Sequence, residues 1–399
     1  MDIRRLQAWW SHKQGLTNPN PSLSSAQVLE MAGWARSVGG ASPYLTLFSR
    51  AGISREQADL DLANQDIHEL PCARGCTYIV PKTEFALALK VGQGFSDEAA
   101  MNTARKFLGV TDQEIERLMD KVEDALAGGP LDARGLKTAV GDASRSLGDE
   151  GKKRGQTTTL PLALGFLQSQ GRIHRIPVNG RIDQQRYLYA RWSPSPLEEF
   201  TLSRDEAFVE LAKRFYRWSG PATPAHFQWF TGLGVKAIKD ALASLDLREL
   251  EDRLLIRAED FEEFKEFKMP PEPIYSLVAS IDSHLMQRRD LPNLLLPEDR
   301  DRKMVGERGI TEMAGIQDLT NHAILDRGRV VGLWEYDTDS QTVAWYSFVP
   351  PNQAMREAII QTEAFVRDQL ADARSFSLDS PESRKPKIAT LRRLAEGKR

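Results

Sequence analysis

Cysteine is scarce in this chain. Cys72 and Cys76 are the only two, and one C-x3-C pair with no paired histidines nearby makes a poor zinc site. The six histidines are scattered, and no H-E-x-x-H run occurs. We therefore expect no metal and no cofactor. No apolar stretch approaches the ~20 residues of a membrane span, and the amino-terminal MDIRRLQAWW lacks the apolar core of a secretory signal. The expectation is a cytoplasmic protein without membrane contact. A strong charge of one sign is missing too. A formal net charge of −3 argues against coating nucleic acid with the whole surface, but it leaves room for a local basic face.

What is present is a repeated pattern. A helix-capping residue is followed four positions later by an apolar residue and nine positions later by glycine. The copies are Ser24, Val28, Gly33; Asp132, Leu136, Gly141; and Thr223, Phe227, Gly232. Each cap can accept from free N–H groups of a first helical turn, and each glycine can take the φ > 0 conformation that ends a short helix. Amphipathic segments precede them: Asp2–Gln14, Gln113–Ala127 and Asp205–Trp218. Helix, turn, short helix, glycine turn is the front half of a helix-turn-helix unit. The third copy is the most complete. Gly220-Pro221 closes a helix, Thr223-Pro224 opens the next, and Val235–Leu245 follows with Lys236 and Lys239 on its polar face.

The 399 residues are enough for several domains. The predicted class is α+β, with tandem winged-helix (helix-turn-helix) domains at 1–92, 95–192 and 203–258. A β-rich α/β domain is expected at 270–372, and a polar, loosely ordered tail at 373–399. In the second unit a recognition helix, Thr157–Ser169, is followed by a two-stranded wing, Arg172–Pro177 and Arg186–Trp192, joined through Asn179-Gly180. In the C-terminal part, strands are expected at Ile274–Ile281, Val330–Tyr336 and Gln341–Val349, with a helix near Gln353–Leu370.

Charge is concentrated between Lys152 and Trp192. Lys152, Lys153, Arg154, Arg172, Arg175, Arg181, Arg186 and Arg191 stand there against a single acid, Asp183, a local net of +7. This stretch coincides with the expected recognition helix and wing, so it is the first candidate for phosphate contact. Thr157 and Thr158 add hydroxyls and N–H groups at a helix start. Tyr187, Tyr189 and Trp192 are interleaved and can stack on bases or pack inward. Gln185, Lys236 and Lys239 complete the expected DNA-binding set.

The segment Gly33–Arg50 (GWARSVGGASPYLTLFSR) is the other unusual stretch. Gly39-Gly40 allows close backbone approach, Arg36 and Arg50 bracket the loop with charge, and Trp34 and Tyr44 offer flat faces. A functional loop and a tight structural turn are both open readings. Arg74 is expected on a neighbouring strand, facing the same cleft.

On these residues the chain resembles the AlkZ-like family of bacterial winged-helix DNA glycosylases, which remove alkylated bases and unhook interstrand crosslinks. Leu70–Val80 (LPCARGCTYIV) is similar to the family's arginine-glycine-threonine strand. Leu211–Leu233 (LAKRFYRWSGPATPAHFQWFTGL) resembles its third winged helix, and Ile324–Trp334 (ILDRGRVVGLW) its C-terminal domain. The resemblance implies three tandem winged helices around a concave channel for double-stranded DNA. The family's catalytic motif is Gln-x-Gln, or Gln-x-Asp in one branch, and its polar side chains would hold the attacking water. Laid on Ala32-Gly33-Trp34-Ala35, it falls on Arg36-Ser37-Val38, with neither glutamine present and no acid between Glu30 and Glu56. An arginine there opposes positive charge developing on the sugar.

Two readings follow. The first is a DNA-binding protein of the AlkZ-like superfamily that recognises damaged or distorted DNA and, as a glycosylase, would excise alkylated or crosslinked bases. Its catalytic candidates are Arg36, Ser37, Tyr44 and Arg74, with Asp183 and Gln185 more remote. The alternative is a non-catalytic winged-helix transcriptional regulator or DNA-architecture protein.

Overall fold

The computed structural model describes residues 1–306 and 309–397. All three capped helices form. Ser24, Asp132 and Thr223 each accept a backbone N–H three residues on, and Gly33, Gly141 and Gly232 end those helices at positive φ.

Unit 2 comprises α6 (Ser96–Leu108), α7 (Asp112–Leu126), β4 (Leu131–Asp132), α8 (Ala133–Val140), α9 (Gly148–Lys153), α10 (Leu160–Ser169), β5 (Ile173–Pro177) and β6 (Tyr187–Arg191). Its sheet runs β4-β6-β5. Unit 3 repeats the order with α11 (Arg204–Ser219), α12 (Pro224–Thr231), α13 (Val235–Leu242), β7 (Leu247–Glu249) and β8 (Leu255–Arg257), then α14 (Ala258–Glu266). Ala222 bridges to Leu255 where β4 bridges to β6. Lead helix, short strand, two further helices and a hairpin thus recur in both units.

Unit 1 has the same order but a different register from the one expected. It runs α2 (Ser25–Ala32), β1 (Ala35–Arg36), α3 (Ser42–Ala51), α4 (Arg55–Ala63), β2 (Ile67–Pro71) and β3 (Thr77–Pro81), then α5 (Phe85–Gly92), with sheet order β1-β3-β2. The capped helix α2 precedes the short strand, so it stands where α7 and α11 stand. The spacing marked a real helix in the wrong place within the unit. Helix α1 (Ile3–Lys13) packs elsewhere. Leu6, Trp9 and Trp10 join the core of the C-terminal domain, and the Trp9 and Trp10 indoles donate to Gly220 O and Pro221 O.

The C-terminal sheet has order β14-β13-β12-β9, from β9 (Tyr275–Val278), β12 (His322–Asp326), β13 (Arg329–Asp337) and β14 (Thr342–Ser347). Helix α15 (Ser283–Met286) and the ribbon β10 (Lys303–Gly306) with β11 (Gly309–Glu312) lie between β9 and β12. Helix α16 (Gln353–Phe365) follows β14 and lies near the expected position. The tail is a correction: Pro381–Ala395 forms a 15-residue helix, α17. Arg384, Ile388 and Leu391 recur at i, i+4 and i+7 and are buried on one face. That apolar periodicity is sparse among charged residues, which is why composition alone read as a loose tail.

Cores bind the units together. One apolar cluster joins Val80, Phe85 and Leu89 of unit 1 to Phe208, Phe215 and Phe227 of unit 3. Another joins Leu45 and Leu47 to Ile324 and Trp334 of the C-terminal sheet. Unit 2 has its own core, including Leu118, Leu136 and Leu167. It meets unit 1 through ring contacts among His68, His174 and Trp192.

Candidate functional site

A small cleft opens where unit 1, unit 3 and the C-terminal domain converge. Trp34, Arg36 and Tyr78 come from unit 1, Arg74 from the turn between β2 and β3, Trp229 and Phe230 from α12, and Ser283, Met286 and Gln287 from α15 and its end. Two sequence candidates, Arg36 and Arg74, are thus brought together. Water-sized molecules can be centred in only about 20 Å³ of it, so the cleft is narrow.

Its walls are aromatic and cationic. The Arg74 guanidinium lies 3.6 Å from the Trp229 ring centroid, and Arg289 lies 4.0 Å from the same ring. Arg36 sits 5.3 Å from the Tyr78 ring. Arg289 is paired with Asp318. Arg36 and Arg74 have no carboxylate partner among the described residues, donating only to Thr77 O, Trp229 O and, at 4.0 Å, the Cys76 sulfur. No carboxylate lines the cleft. Two uncompensated guanidiniums against flat rings suit a phosphate or a stacked base, and they suit a developing cation poorly.

The other two catalytic candidates lie outside the cleft. Tyr44 is buried, its hydroxyl bonded to Asp59 and accepting from Ile182 N at 2.9 Å. Burial and the Asp59 carboxylate push its pKa up, so it serves as a core anchor. Ser37 is buried and turned inward, donating to Glu69 Oε1 at 2.7 Å. Strand alternation explains this, because Arg36 and Ser37 project to opposite faces. Arg50, expected at the loop edge, is fully buried, with Nη2 2.8 Å from Asp282 Oδ1. It is a structural pair between α3 and the C-terminal domain.

The basic window is less free than its sequence suggests. Arg172 pairs with Glu123, Arg175 with Glu69 at 3.1 Å, and Arg181 with Asp183. Lys152 and Lys153 pair with Asp149 and Glu150, and Arg154 pairs with Glu150 at 2.7 Å. Glu69 and Glu123 are brought in by folding, and Asp149 and Glu150 stand just before the counted window on α9, so much of the local +7 is compensated. The pairs on α9 are solvent-exposed and weak, so phosphate can displace them. Arg175 is more committed, stacked 4.6 Å from the Tyr187 ring and partly buried. Trp192 also packs inward, against His68, His174 and Phe85. Arg186, Lys236 and Lys239 are exposed with no ion pair among the described residues, and Gln185 and Thr157 are exposed as well. Thr158 is half-buried beside Ser146.

Sequence reasoning missed Glu69 and the aromatic wall. Trp229 stands in the FQWF run, but nothing in its spacing showed that Arg74 would stack on it.

A family model described as AlkZ-like, DNA glycosylase AlkZ-like, matches residues 32–373. The solved structure of Streptomyces sahachiroi DNA glycosylase AlkZ is similar in fold, with a TM-score of 0.68 at 19% identity over 94% of this chain and 98% of that chain. No curated protein sequence matches. With the family model spanning most of its length, this chain belongs to the AlkZ-like DNA glycosylase family.

Proposed function

We propose that this protein binds double-stranded DNA and recognises damaged or distorted sites, with weak excision of simple N7-alkylated bases. The observation that carries this reading is the cleft itself. Arg36 and Arg74 face it without a carboxylate partner among the described residues, and Arg36 stands where the first of the family's water-holding side chains would fall. Guanidiniums without a carboxylate partner favour phosphate, while neither side chain activates water. Family membership and the likeness to a DNA glycosylase support DNA as the partner. The exposed cations Arg186, Lys236 and Lys239 supply contacts to backbone phosphate. No helix among the described residues is long and apolar enough to cross a membrane.

The non-catalytic alternative draws on the same observation, since Arg36 and Val38 replace both glutamines. One experiment separates the two. The protein is incubated with duplex DNA carrying N7-alkylguanine or a nitrogen-mustard crosslink, and abasic products and retained complexes are measured together. Retention with little excision is expected. Absence of any DNA binding overturns the reading.

A further inference from the structure

The segment that carries the chain from α16 to α17 crosses the loop following β1. Ala41 N donates to Arg374 O at 2.9 Å, and Ser377 N donates to Val38 O at 3.0 Å. His322 Nε2 lies 2.6 Å from Ala373 O, and the Ser280 and Ser375 hydroxyls lie 2.9 Å apart. Arg374 donates to Gly39 O and to Asp183 O, both at 3.0 Å. The approach is close enough to demand glycine, because a Cβ at Gly40 would stand 2.4 Å from Ser375 O.

This strap alternates. Ala373 and Ser375 are buried and Ser377 is half-buried, while Phe376 and Leu378 point outward. Phe376 is 43% exposed and Leu378 92% exposed. Two apolar side chains are therefore held in water on a backbone fixed at several points, and no core uses them. Singly exposed apolar residues are ordinary, but this pair stands two residues apart on one pinned turn, closed by Asp379 N donating to Phe376 O at 3.0 Å. Its neighbours have the chemistry of a polyanion site. A Cβ at Gly39 would meet both Gln185, at 2.6 Å, and Ser377, at 2.9 Å. The strap thus touches the loop of the unit 2 hairpin through Asp183 and Gln185, next in sequence to Arg186, and the loop that follows β1. The strap also lies beyond residue 373, where the family match ends.

We infer that Phe376 and Leu378 form an apolar wedge that enters a base step of bound duplex DNA. Rigidly presented apolar side chains flanked by cations unstack and kink a duplex in this way. The inference rests on the DNA-binding reading above and adds how distortion is sensed: a step that is already unstacked admits the wedge at lower cost.

The test uses duplexes with 2-aminopurine beside a bulge, together with matched intact duplexes, and the full-length chain. The wild type is expected to raise 2-aminopurine fluorescence on saturation, which reports unstacking. The double variant Phe376→Ala, Leu378→Ala should lose most of that rise. It should also bind the bulged duplex about tenfold more weakly, or about 1.4 kcal/mol. Its salt dependence should stay unchanged, because the phosphate contacts remain. Both side chains are exposed, so the variant keeps the fold, and Leu378→Met should retain the signal. Binding without a fluorescence rise, or an undiminished rise in the alanine variant, overturns the wedge alone. Absence of binding to any duplex removes the wedge together with the reading on which it rests.

Discussion

Ser37 Oγ donates to Glu69 Oε1 at 2.7 Å, and Glu69 Oε2 lies 3.1 Å from Arg175 Nη2. The one hydroxyl in the Arg36-Ser37-Val38 stretch is thereby committed to the junction of units 1 and 2. Ser37→Ala should cost about 0.5–1.5 kcal/mol of stability, the net worth of one hydrogen bond, while Glu69 keeps its charged partner. DNA binding and residual excision should not move. Unchanged thermal stability with a large loss of excision would instead place Ser37 in the chemistry.

Restoring the motif is the complementary experiment. Arg36 lines the cleft, and Val38 lies two residues past the end of β1. The double change Arg36→Gln, Val38→Gln removes an opposing cation and installs two groups able to hold water. Excision of N7-alkylguanine should rise by ~10²–10⁴, the usual contribution of placed groups acting on a proton or water. Robust excision by the unaltered chain would show that other residues carry the reaction.

The phosphate-binding cations are best sought outside the compensated pairs. Reversing Arg172, Arg175 and Arg181 would break pairs to Glu123, Glu69 and Asp183, so the outcome would mix unfolding with binding. Reversing Arg186, Lys236 and Lys239 breaks no ion pair among the described residues. Affinity should fall across all sequences, and the salt slope should flatten by about 0.9 for each phosphate that is no longer neutralised. An unchanged slope would move the interface away from α13 and the hairpin of unit 2.

How much of this was legible depended on whether the signal was local. Ser24, Asp132 and Thr223 cap their helices, and Gly33, Gly141 and Gly232 end them, because capping and positive φ are decided within a single turn. The assignment of Ser24–Gly33 to a place within its unit failed, since that place depends on which strand β1 pairs with. Charge was misread for the same reason. Glu69 and Glu123 meet Arg175 and Arg172 from far along the chain, and a window count cannot see them. Arg36 and Arg74 were found because β1 pairs with β3, the strand that follows the turn carrying Arg74. The strap over Gly40 was not, because nothing in its composition announces the contact.

Glu335 offers a pH prediction. It is 1% exposed, accepts from Asn321 Nδ2 at 2.9 Å, and burial pushes its pKa up to about 7 against the pull of Lys387 and Arg384. The folded state then holds a proton that the unfolded chain releases near 4.5. The stability this contributes is complete below that value and is lost as pH rises through about 7. Buried His322, whose pKa is lowered to about 4, acts in the opposite sense and loses stability as pH falls below 6.5. Comparison with Glu335→Gln isolates the carboxyl. The wild type should lose melting temperature relative to the variant between about pH 5 and pH 8, and parallel curves would show that Glu335 does not titrate there.

Gly232 joins local backbone geometry to the cleft. It ends α12 at φ 72°, and a Cβ there would stand 2.8 Å from Arg74 Cγ. Gly232→Val therefore carries two penalties, a β-branched residue in the left-handed region and a collision with the side chain that stacks on Trp229. The backbone part should cost ~1–3 kcal/mol. The second part is separable by a double-mutant cycle. In an Arg74→Ala background the collision is gone and only strain remains, so Gly232→Val should destabilise less than it does in the wild type. Binding should show the same coupling: the glycine substitution should weaken DNA affinity when Arg74 is present and have little effect once Arg74 is alanine. Equal costs in both backgrounds would mean that Arg74 yields freely and that its place on the Trp229 ring is not fixed by the turn.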